Sequence, residues 1–177
     1  YSAQYGGAAS IHFAPDGIRR EPLDIDLKTL EDRIVVLYTG EPRNSGTNNW
    51  EITKRHIDGD RELFDIFEGI RDDAARLRVA LLENDWTGVG DILKHAFPLR
   101  KRLSPMITTP HMDELIETGL NNGAIAAKVC GAGGGGCIAF FCAEGRKTNV
   151  EAVLAEQIGS EVLKYHIRGE GLTISVS

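Results

Sequence analysis

The apolar positions of this chain change period several times. Two short runs, ASIHF and IRREPLDI, flank Pro15-Asp16-Gly17, a triplet suited to a tight turn, so residues 8–25 predict a β-hairpin. IVVLYT at 34–39 is apolar, rich in β-branched residues and bounded by Gly40 and Pro42, which predicts a buried strand. The period then becomes helical. Phe67, Ile70, Ala74, Leu77 and Leu81 form one stripe, and Val89, Leu93, Ala96, Leu99 and Leu103 a second, predicting two packed helices. Pro98 lies inside the second stripe, where it removes a backbone hydrogen bond and crowds the preceding turn, so a kink is expected there.

Thr109 as N-cap, Pro110 at the first helical position, and Asp113 and Glu114 near the first turn announce a further helix, with Met112, Leu115, Ile116 and Leu120 facing inward. Asn122-Gly123 ends it. AAKVC and CIAFFC predict strands on either side of a glycine run, and TNVEAVLAEQIG an amphipathic helix using Val150, Val153, Leu154 and Ile158. A closing hairpin is predicted from Leu163, Tyr165 and Ile167 alternating with polar residues, then Leu172, Ile174 and Val176, around Gly169-Glu170-Gly171. This order of elements favours an α+β layer sandwich. At the start, YSAQYGG reads as the closing turn of a helix stopped by Gly6 or Gly7, with the rest of that helix upstream in a longer protein.

With 26 acidic against 20 basic residues, the chain has no field that would hold a phosphate backbone, so nucleic acid is excluded as a partner. The one tight basic cluster, Arg100 to Arg102, reads as the solvated end of a helix, where cations suit the macrodipole. The apolar runs are too short to cross a bilayer, which takes roughly 20 residues, and no signal peptide is recognised; a cytoplasmic protein without a membrane partner is expected. Cys130, Cys137 and Cys142 have neither CxxC spacing nor a histidine set, so reduced thiols are expected rather than zinc or a disulfide framework. His56, His95, His111 and His166 lack ligand or triad spacing and are read as surface or capping residues, and Trp50 and Trp86 as packing residues.

The candidate chemistry lies in KVCGAGGGGCIAFF. Gly131, Gly133 and Gly136 satisfy GxGxxG, but a dinucleotide fingerprint must open a helix, and CIAFFC predicts a strand. A Walker A loop would end in Gly-Lys-Ser/Thr, whereas Gly136 is followed by Cys137. A plain bend permitting close approach of neighbouring segments needs only two glycines. A run this long exposes consecutive amides, which suit phosphate oxygens or the support of another phosphate-binding loop.

The same residues resemble the C-terminal glycine-rich motif of the GHMP kinase superfamily. YSAQYGG, LYTGEPRNSGTNN, LRKRLSPMITTPHMDEL and EGL extend the resemblance over nearly the whole chain, most nearly to the sugar-kinase branch acting on D-glycero-D-manno-heptose 7-phosphate. It implies a ferredoxin-like two-layer sandwich over residues 31–177, preceded by a remnant of an N-terminal domain over residues 1–30, a helix end plus hairpin. It implies ATP and Mg2+ as cofactors, a sugar or sugar phosphate as substrate, and a missing N-terminal domain that carries the main phosphate loop, of the type Pro-x-x-x-Gly-x-Gly-Ser-Ser, together with any catalytic aspartate.

On that resemblance Gly131, Ala132, Gly133, Gly134, Gly135 and Gly136 support the nucleotide phosphates. Arg43 and Ser45, in the loop 39–49, lie towards the acceptor; the plainer reading of that loop is a solvated connection. Lys128 is either a family feature or an exposed strand lysine. No catalytic residue and no metal ligand is assigned within the chain, which is expected to be inactive alone. The alternative is a noncatalytic small-molecule or anion-binding module of the same fold.

Overall fold

The computed structural model describes residues 2–42 and 46–173. A single turn, α1 (Ser2–Tyr5), is stopped by Gly6 and Gly7, at φ 65° and 64°. The Pro15-Asp16-Gly17 turn then folds β1 (Ala8–Ala14) onto β2 (Gly17–Leu23), antiparallel, with Phe13 opposite Ile18. Asp26 caps α2 (Leu27–Glu31) by accepting from the amides of Lys28 and Thr29, and β3 (Ile34–Tyr38) follows.

Three helices come next: α3 (Gly46–Ile57), α4 (Arg61–Leu82), capped by Asp60, and α5 (Trp86–Lys101), capped by Asp85. A 3-10 turn at Pro105–Ile107 leads to α6 (Pro110–Asn121), where the Thr109 side chain accepts from the Met112 amide as its cap. The chain closes with β4 (Ala124–Val129), β5 (Cys137–Cys142), α7 (Lys147–Ala155) and β6 (Glu161–Leu163).

The larger sheet has the order β4-β5-β3-β6, and every pairing is antiparallel. With α6 before β4 and α7 before β6, this is the ferredoxin-like α+β arrangement. Alternation along the strands sends Val35, Leu37, Val129, Ile138 and Phe140 to one face, where they meet Met112, Leu115 and Ile116 of α6 and Val150 and Leu154 of α7. These side chains are almost entirely buried, at about 1.5–3 kcal/mol each relative to exposure. Ile34, Ala126 and Phe141 take the other face. The irregularity between Ala124 and Ala126 adds Ile125 to it, and α4 and α5 cover this side through Leu77, Ala80, Leu81, Val89 and Leu93.

Three expectations change. The deepest positions of α4 are Leu63, Ile66, Asp73 and Ala80, while Ala74 is exposed, so the buried stripe is rotated from the predicted one. Trp50 is 62% exposed and is not a packing residue, whereas Trp86 joins the second core. The closing hairpin does not form among the described residues: β6 ends at Leu163 and pairs with β3, and the segment beyond returns to α1 and the turn after it. There the Gly7 amide donates to the Arg168 carbonyl at 2.7 Å and the Leu172 amide to the Gln4 carbonyl at 3.1 Å. Those backbone groups find partners at the start of the chain instead of in each other.

Candidate functional site

The glycine turn joins β4 to β5 at one end of the larger sheet, and β5 follows it as a strand, so the context of a dinucleotide fingerprint is absent. Its mouth is closed by the Cys130 amide donating to the Cys137 carbonyl at 2.8 Å. Gly131, Gly133, Gly134, Gly135 and Gly136 all have positive φ, between 72° and 133°, a region that side-chain-bearing residues rarely enter. A Cβ at Gly133 would stand 2.5 Å from the Ile107 carbonyl oxygen, and one at Gly135 2.8 Å from that of Pro42. The bareness of the turn is therefore required by both dihedral and space.

Two distant segments hold it through the main chain. The Gly136 amide donates to the Glu41 carbonyl at 2.9 Å, and the Gly134 amide to the Ile107 carbonyl at 3.1 Å. The Gly136 carbonyl accepts from both the amide and the hydroxyl of the buried Thr39, each at 2.9 Å. Glu41 is itself held, its carboxylate accepting from the Thr109 hydroxyl at 3.0 Å at the start of α6. Two of the six amides are thus committed to the fold, while those of Gly131, Ala132, Gly133 and Gly135 make no hydrogen bond among the described residues. Ala132 and Gly134 are half-buried, Gly133 and Gly135 buried, and Gly131 exposed.

Beside the turn lies a cleft of about 630 Å³ between α3, α4 and α5, lined by Asn49, Ile52, Phe67, Ile70, Arg100, Leu103, Ile107, Gly131 and Ala132. Arg100 reaches it from the last turn of α5 and donates to the Gly131 carbonyl. It is half-buried, and burial lowers its pKa from the ordinary arginine range. The reading of Arg100 to Arg102 as one solvated helix end is therefore corrected for Arg100. Lys101 pairs with Asp113 and Arg102 with Glu62 at the surface, but Arg100 folds onto the glycine turn. Its position in the last turn of an amphipathic helix was visible in sequence; which of three consecutive cations turns inward was not.

Arg43 and Ser45 lie outside the described residues. Lys128 is exposed on β4, opposite Ala139 of β5, on the sheet face covered by α4 and α5. Cys130 and Cys137 are half-buried free thiols and Cys142 is a buried one. His56 stacks against Phe64 with ring centroids 4.5 Å apart, His95 meets the buried Asp73 carboxylate at 2.8 Å, His111 faces the Thr39 carbonyl and His166 faces Glu31. Among the described residues no three His, Cys, Asp or Glu side chains gather as a metal set, and no helix is long and apolar enough to cross a membrane.

The larger sheet carries its glycine turn between its second and third strands in chain order, and solved structures share this fold. Residues 77–159 match the family described as GHMP kinases C terminal. A D-glycero-alpha-D-manno-heptose 7-phosphate kinase from Campylobacter jejuni is 26% identical over 163 residues, covering 90% of this chain and 48% of that protein.

Among solved structures, L. major mevalonate kinase in complex with R-mevalonate superposes with TM-score 0.76 at 16% identity, covering 95% of this chain and 51% of that one. Streptococcus pneumoniae phosphomevalonate kinase, in complex with phosphomevalonate and AMPPNP, superposes with TM-score 0.65 at 22% identity, covering 84% and 42%. The chain spans about half the length of these relatives.

Proposed function

We propose that this chain is the C-terminal part of an ATP-dependent sugar or sugar-phosphate kinase, in which Gly131–Gly136 supports the nucleotide phosphates. The observation that carries the reading is a pre-formed backbone turn of five left-handed glycines, with four uncommitted amides among the described residues, beside a cleft holding an arginine. Phosphoryl transfer is largely positioning and charge stabilisation, so backbone donors fixed against the phosphates contribute without covalent chemistry. The amides of Gly131, Ala132, Gly133 and Gly135 fit phosphate oxygens in this way.

Mg2+ finds no ligand set among the described residues. In this reading its protein ligands, the main phosphate loop and any catalytic base belong to an N-terminal domain, onto which the hairpin of residues 1–30 would pack. Arg43 and Ser45 would face the acceptor. The name of the Campylobacter jejuni relative makes a heptose phosphate the first acceptor to try.

The test is ADP release by the intact protein with ATP, Mg2+ and a panel of sugars and sugar phosphates, alongside the 177-residue chain alone. Turnover by the intact protein and none by the chain is expected. No turnover with any acceptor by the intact protein would favour a noncatalytic binding module.

A further inference from the structure

We propose that Arg100 is the cationic seat for the phosphate group of a ligand entering the cleft beside the glycine turn. The inference rests on the kinase reading and adds to it a side chain that the glycine motif does not contain. Three consecutive cations end α5, and their surroundings differ. Lys101 and Arg102 each face a carboxylate at the surface. Arg100 is half-buried, donates to the Gly131 carbonyl, and has no carboxylate within ion-pair distance among the described residues.

A guanidinium drawn partly out of water without a counter-ion is costly, and the depressed pKa of Arg100 follows from that burial. An arriving anion would relieve the cost. Arginine carries five N–H donors in a planar fork, and one bond to Gly131 leaves most of them available. The same cleft presents the backbone of Gly131 and Ala132, whose amides make no hydrogen bond among the described residues. Guanidinium and amides together suit a tetrahedral phosphate, which offers oxygens in several directions. The walls supplied by Ile52, Phe67, Ile70 and Leu103 are apolar, which strengthens such a charge-assisted contact by excluding water.

The phosphate could belong to the nucleotide or to a phosphorylated acceptor, and one experiment separates them. AMPPNP and mannose 6-phosphate are titrated calorimetrically into the intact protein, into Arg100→Met and into Arg100→Lys, with melting temperature as the check on folding. Arg100→Met is expected to weaken one of the two ligands by about tenfold or more, and Arg100→Lys, which keeps the charge without the fork, to fall between. Loss confined to AMPPNP assigns the seat to the nucleotide, and loss confined to mannose 6-phosphate assigns it to the acceptor. If Arg100→Met does not fold, the same comparison is made between wild type and Arg100→Lys. Unchanged affinity for both ligands in the folded variant overturns the inference and leaves the kinase reading standing. A wild-type protein that binds neither ligand overturns both.

Discussion

The Arg78 guanidinium on α4 grips the Glu21 carboxylate on β2, with Nε 2.9 Å from Oε2 and a second contact from Nη2. His12, across the hairpin, also meets Glu21 Oε2 at 2.9 Å. A two-stranded hairpin is marginal by itself, and this cluster fastens it to the helical layer. The Arg78 and His12 contacts hold the Glu21 carboxyl down to about 2, from an ordinary 4.5. A depressed folded-state pKa gives stability that is complete above the unfolded value and is lost as the pH falls through the folded one. Acid should therefore loosen wild type progressively between about pH 4.5 and about 2. Glu21→Gln should flatten that part of a stability-against-pH curve measured by urea unfolding; equal slopes for the two proteins would remove the cluster from the account.

Within the glycine turn, neighbouring positions should respond unequally. A Cβ at Gly133 meets the Ile107 backbone at 2.5 Å, whereas one at Gly134 stands 3.3 Å from the Met106 carbonyl oxygen. Gly134→Ala carries mainly the dihedral penalty, about 1–2 kcal/mol. Gly133→Ala adds a backbone collision and should cost clearly more, measured by denaturant unfolding. In the intact protein Gly134→Val should reduce ATP affinity or turnover far more than it reduces stability; unchanged kinetics would leave the turn a purely structural bend.

The contact between α6 and β5 has no spare room. A Cβ at Gly119 would fall 2.4 Å from Cε1 of Phe140, a ring with no exposed surface. Gly119→Ala should destabilise by about 1–3 kcal/mol through overpacking. Adding Phe140→Leu should recover part of that loss. Additive costs in the double variant would show that the two positions are not coupled.

Thiol labelling should follow burial. Desolvation pushes Cys142 up to about 11, and Cys137 is raised by burial and then by Cys130. Since the thiolate is the nucleophile, iodoacetamide at pH 8 should leave Cys142 unmodified in the folded protein and reach Cys137 more slowly than an ordinary thiol. Mass spectrometry against time gives the order. Rapid loss of the Cys142 thiol under native conditions would contradict the packing of β5.

Elements with strong local punctuation were legible in the sequence. Pro15-Asp16-Gly17 marked the hairpin, Thr109-Pro110 the start of α6, and the apolar, aromatic run CIAFFC the strand after the glycines. Where two partners compete, local pattern does not choose. Leu163 to Val176 alternates well enough for a hairpin, yet the segment after β6 bonds to Gln4 and Gly7, a choice made by tertiary contacts. α3 is not marked in the sequence because GTNNWEITKRHI carries few apolar residues, and its Trp50 is exposed. In the site, the glycines announced themselves by composition. Arg100 did not, because its distinction from Lys101 and Arg102 is which carboxylates the fold places within reach.

The turn is stitched to Thr39 and Glu41 after β3, to Ile107 ahead of α6, and to Arg100 at the end of α5. Those anchors come from two regions far apart along the polypeptide, 39–41 and 100–107, so the cradle is complete only once the layers have docked, and it then needs no visitor to shape it. A ligand would pay little entropy to be received there. Drift in sequence at any one anchor would be felt first as a blurred receptacle, well before the surrounding architecture gave way.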